Sequence, residues 1–80
     1  MRLIKQIQHD RFLIQIHQYN DKYIVKIELG MFEQNYKIHV HEINNFDILE
    51  SQIINNLLPN AFQRFLAMRS DWTDIQKSLK

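Results

Sequence analysis

The chain has 80 residues, 45% of them hydrophobic, with ten Lys/Arg set against nine Asp/Glu and no cysteine. Balanced charge leaves no whole-molecule field to draw in polyanions or an anionic membrane surface, the absence of cysteine excludes a disulfide framework, and the sequence shows no four-ligand zinc spacing. A core of this size rarely supplies more than about 3–5 kcal/mol, so oligomerisation is the common remaining staple and a homo-oligomer or a protein partner is expected.

The N-terminal stretch Met1-Arg2-Leu3-Ile4-Lys5-Gln6-Ile7 is broken by polar groups every two or three residues. It lacks the apolar run of a signal peptide, and no segment approaches the length of a membrane span. A cytoplasmic location without membrane contact is the expectation.

Strict alternation of apolar and polar residues predicts four strands, at about 2–8, 12–19, 22–29 and 32–41. Asn20-Asp21 and Gly30-Met31 are two-residue turns between the last three, and they fix the register. The inner rows become Phe12-Leu29-Phe32, Ile14-Ile27-Gln34, Ile16-Val25-Tyr36 and Gln18-Tyr23-Ile38. The outer rows are Leu13-Glu28-Glu33, Gln15-Lys26-Asn35, His17-Ile24-Lys37 and Tyr19-Lys22-His39. The first strand has two phases, depending on whether the turn near His9-Asp10 holds two residues or three. The preferred one turns Leu3, Lys5 and Ile7 inward, with Lys5 snorkelling at the edge; the other turns Ile4, Gln6 and Gln8 inward.

The second half has a helical period. Asp47 followed by Glu50 resembles a capping box, and Ile54, Leu58, Ala61, Phe65, Met68 and Trp72 recur at spacings of four and three. Pro59 falls inside this stripe and predicts a kink or break, giving helices at about 47–57 and 59–70 with a fraying tail at 71–80. The fold class is α+β: a four-stranded antiparallel meander with a C-terminal helical segment, interrupted at Pro59, packed on one sheet face.

Chemistry-bearing residues are few. His39 and His41 share the outer strand face at a spacing that metals use, but a third ligand is missing, because His17 lies two strands away. Glu28 and Glu33 face each other beside a turn, where no cleft or orienting partner makes an acid/base pair of them. Gln34 is the one amide forced into the middle of the inner face, and it should reach the helix backbone or the rim. No nucleophile, phosphate loop or cofactor motif is present, so a non-catalytic protein without cofactor or metal is expected.

The outer sheet face carries Leu13, Tyr19 and Ile24, more large apolar groups than a fully solvated face needs. The leading expectation is an interaction domain that self-associates or binds a protein through this face or an edge strand. Four strands followed by a helix is also similar, in topology alone, to Pur-repeat and Whirly-type modules, which implies a single-stranded nucleic-acid binder as the alternative. Its contacts would be Lys22, Lys26 and Lys37, with Tyr19 as the one stacking ring on the open face.

Overall fold

The computed structural model describes residues 1–80. Four antiparallel strands, β1 (Arg2–Ile7), β2 (Leu13–Tyr19), β3 (Lys22–Leu29) and β4 (Phe32–His39), form one open sheet in the order β1-β2-β3-β4. The C-terminal part runs as α1 (Phe46–Gln52), a π-helical turn (Ile53–Leu57) and α2 (Leu58–Ser78), without a break between them.

Both two-residue turns stand where the alternation requires. Every pair from Leu13↔Glu28 to Tyr19↔Lys22, and from Lys22↔His39 to Leu29↔Phe32, matches the expected rows. Asn20 (φ 56°) and Gly30 (φ 61°) supply the left-handed residue at the first position of each turn, while Asp21 does not share it.

β1 departs from the preferred phase halfway along. Ile7 faces Ile14 and Lys5 faces Ile16, both inward as expected, but Ile4 is an extra residue, and beyond it Leu3 pairs with His17 on the outer face. A β-bulge of this kind switches the side on which the following residues lie. Lys5 is exposed at the sheet edge with its Nζ 2.8 Å from Glu50 Oε2, so this bond ties β1 to α1.

Strand boundaries are also shorter than the pattern implies. β1 ends at Ile7, and Phe12 precedes β2, in the connecting loop, yet is buried with its ring stacked 6.0 Å from that of Phe65. β4 stops at His39, and Val40–Glu42 form a 3-10 turn whose entry is held by Val40 N–H donating to Asp21 O at 2.8 Å. Asn45, not Asp47, caps α1: its Oδ1 accepts from Asp47 N at 2.8 Å, so the helix begins at Phe46.

The helical phase holds a second correction. Ile54 is 41% exposed, and it is Ile53 that is buried, five residues before buried Leu58. In a regular α-helix five residues turn about 140° past a full circle, so Ile53 and Leu58 would face different ways. The π turn absorbs the extra residue, with Leu58 N–H donating to Ile53 O, and both side chains meet the sheet. Pro59 then sits at the start of α2, so the interruption expected there takes the form of a wider turn instead of two separate helices. Asn60 Nδ2 donates to the Asn56 carbonyl, 3.1 Å away, beside this turn.

The core consists of ten residues: Ile7, Phe12, Ile14, Ile16, Val25, Ile27, Ile53, Leu58, Ala61 and Phe65. Tyr36, which shares the expected inner row with buried Ile16 and Val25, is only half-buried, because β4 is the edge strand and its hydroxyl extends to Arg64.

The five-residue step from Ile53 to Leu58, and not Pro59, sets the π turn. Pro59→Ala should therefore keep it and change stability by less than about 1 kcal/mol. Deleting Asn55 in the Pro59→Ala background restores four-residue spacing and should give a regular α-helix at least as stable. Deleting Asn55 alone puts a proline inside an α-helix and should cost about 3 kcal/mol. Thermal melts order the three variants, and carbonyl chemical shifts across 53–58 report the hydrogen-bond pattern; an α pattern in Pro59→Ala would show that proline dictates the turn.

Candidate interaction surfaces

Three surfaces remain open: the outer sheet face, the β2–β3 turn with the histidines beside it, and the C-terminal part of α2. The sheet face carries the residues that the alternation singled out. Leu13 is 38% exposed and Tyr19 56%, while Ile24 is half-buried between His17 and Lys37. They share the face without joining. Leu13 and Ile24 lie two rows apart, about 14 Å along the strands, and the row between them is Gln15-Lys26-Asn35. Tyr19 is diagonal to Ile24, and the bulge in β1 adds Leu3 across His17.

The centre of this face is polar and holds two separate bonded groups. Gln15 Nε2 donates to Gln6 Oε1 at 3.4 Å, and Gln15 Oε1 lies 3.0 Å from His17 Nε2. Lys26 Nζ stands between the two opposed carboxylates, 3.3 Å from Glu28 and 3.5 Å from Glu33, which removes the like-charge cost of that pair. The hydrogen bond to Glu28, with the charge of Glu33, pushes the Lys26 ammonium above its ordinary value. The Asn35 amide, 2.8 Å away, and the nearby ammonium hold the Glu33 carboxyl below the usual carboxylate range.

The nucleic-acid set is dispersed in the same way. Lys26 is engaged by two carboxylates, Lys37 flanks Ile24, and Lys22 lies beside Tyr19 at the hairpin end, where His39 Nδ1 is 3.6 Å from Asp21. The His39 and His41 rings stack at 5.4 Å although β4 ends between them. No group of three His, Cys, Asp or Glu side chains is arranged to hold a metal ion, and no helix is long and apolar enough to cross a membrane.

Gln34 behaves as its position requires. Its Nε2 donates to the Ala61 carbonyl at 3.0 Å, and its Oε1 accepts from the Tyr36 hydroxyl at 2.6 Å and from Arg64 Nε at 3.0 Å. Arg64 closes the set by donating to the Tyr36 oxygen at 2.7 Å. This cluster satisfies itself and clamps α2 onto the edge strand.

The third surface was missed in the sequence. α2 continues to Ser78, and every residue from Arg69 onward is exposed. The spacing of three and four that starts at Leu58 does not end at Trp72 but goes on to Ile75 and Leu79, which was the available signal. Where the helix leaves the sheet, it and the β3–β4 turn enclose an apolar groove of about 500 Å³, with Leu29, Met31 and Phe32 on one wall and Phe62, Leu66 and Trp72 on the other. Compared with family models, curated proteins and solved structures, the chain matches none.

Glu33 contributes stability that is present at neutral pH and lost as pH falls through its lowered value. Lys26 contributes stability that is lost only as pH rises through its raised one. Asn35→Ala should move the Glu33 titration back toward an ordinary carboxylate, as followed by carboxyl-carbon NMR. An unmoved titration would assign the depression to Lys26 alone.

Proposed function

We propose that this protein is a small non-catalytic interaction domain that self-associates. The observation that carries the reading is the concentration of uncovered apolar groups at one end of the molecule: Leu66, Trp72, Ile75 and Leu79 are 44%, 46%, 47% and 74% exposed, and Met31 opposite them 93%. Patches of this kind on a small domain mark contact surfaces. A ten-residue core leaves the fold thinly stabilised, and association is the means by which a chain without disulfide or metal gains more buried surface. The outer sheet face and the edge strands offer an alternative contact, with Leu13, Tyr19 and Ile24 as its apolar members. Nucleic-acid binding draws less support, since Lys26 is neutralised and the aromatic rings other than Tyr19 and Trp72 pack inward.

Sedimentation from about 1 µM to about 1 mM should show concentration-dependent association that changes little between ~50 and ~200 mM salt. A chain that remains monomeric throughout overturns self-association. If that monomer also binds single-stranded oligonucleotides with a steep salt dependence, lost on replacing Lys22 and Lys37, the nucleic-acid reading takes its place.

A further inference from the structure

We infer that the overhanging end of α2 is a two-fold contact for a second copy of this chain, the two helix ends running antiparallel with Trp72 of each against the partner's Ile75. This inference rests on the self-associating reading and locates its surface. From Leu58 the apolar residues recur as Leu58, Ala61, Phe65, Met68, Trp72, Ile75 and Leu79, the alternating three-and-four spacing of a seam made for helix-on-helix packing. The sheet covers the first half of that seam, with Leu58, Ala61 and Phe65 buried and Met68 half-buried. The second half keeps the same period, and apart from the groove that Trp72 shares with the β3–β4 turn it has no cover within the chain. An isolated helix end of about three turns is marginal in water, so the seam needs an occupant to hold its geometry.

A second copy fits on area and on charge. The roughly 150–250 Å² of an aromatic side chain sets the scale for a large apolar group. The exposed parts of Trp72, Ile75 and Leu79 on the seam and of Leu66 and Met31 on the groove beside it thus offer at most roughly 600 Å² per copy, or about 1,200 Å² for the pair, which reaches the lower bound of a specific interface when all of it is covered. The end carries Arg69, Asp71, Asp74, Lys77 and Lys80, a mixed set that does not repel its own copy.

The flanks select the direction. Parallel helices would set Arg64 of one copy beside the partner's Arg69. Antiparallel helices centred between Trp72 and Ile75 set Arg69 beside the partner's Gln76 and Asp71 beside the partner's Ser78, with no like charges opposed. Sliding that antiparallel pair by half a heptad toward the sheets would oppose Arg69 to the partner's Arg69 and Asp71 to the partner's Asp71. Opposed helix directions also set the two macrodipoles favourably and place the two sheets at opposite ends of the contact.

Trp72 is the only tryptophan, so its emission reports the contact directly. In the full chain the emission should shift to the blue with rising concentration, in step with sedimentation. Ile75→Lys should raise the dimer dissociation constant about 100-fold or more and leave Trp72 emission at its dilute-monomer position, with the sheet's circular dichroism retained; Ile24→Lys should associate like the parent. Gln76→Glu, facing the partner's Arg69, should tighten the dimer about two- to threefold and Gln76→Arg weaken it by the same factor. In parallel helices Gln76 would face the partner's Asp71 and the order would reverse, which overturns the antiparallel assignment. A dimer that survives Ile75→Lys, or is lost with Ile24→Lys alone, moves the contact to the sheet face and leaves self-association standing. A parent that is monomeric to about 1 mM removes both.

Discussion

The structure depends on keeping one face of a single long helix in phase with a small sheet. From Phe46 to Ser78 the chain is helical without interruption, and the stretch from Ile53 to Phe65 supplies four of the ten core residues. Ile53 and Leu58, five residues apart, must both point down. The π turn makes this possible by trading regular hydrogen bonding for a common face, and Pro59, which would clash inside an α-helix, lies where that trade has already been made. Two polar ties then hold the helix in place, Lys5–Glu50 at one side of the sheet and the Gln34–Arg64–Tyr36 cluster at the other.

The sheet was legible because a period of two leaves no latitude: a turn of two residues at Asn20 and another at Gly30 determine every pairing of β2, β3 and β4. Where a single residue is inserted the same reasoning fails. Ile4 is such a residue in β1, and it sends Leu3 to the face opposite the one its spacing implies. The π turn is its counterpart in the helix, replacing Ile54 by Ile53 in the core. Both are insertions that periodicity cannot register, because the pattern on either side of each is sound.

Two effects hid the candidate surface. Leu13, Tyr19 and Ile24 all face outward, as alternation demands, yet shared direction is not adjacency, and the Gln15-Lys26-Asn35 row divides Leu13 from the other two. The end of α2 was passed over because Pro59 and a polar tail read as a stop and a fray. Ile75 and Leu79 continue the three-and-four rhythm across Asp71, Asp74 and Lys77, and those charges are the solvent side of an amphipathic helix.

A helix that outruns its sheet has a thermodynamic consequence. The longest dimension of the molecule, 48 Å, is set by the helix, which spans about 50 Å at 1.5 Å per residue. The part over the sheet is held by the core, while the part beyond Met68 adds no residue to that core and rests mainly on its own hydrogen bonds, near the limit at which a helix forms in water. Ordering of that end is therefore coupled to whatever covers it: a contact that buries Trp72, Ile75 and Leu79 must also supply the free energy of completing the helix, and appears weaker than its area implies by that amount. Because the seam runs unbroken from buried Phe65 through Met68 to Leu79, a partner that covered its outer half would also steady the inner half, and folding stability would rise with that partner's concentration.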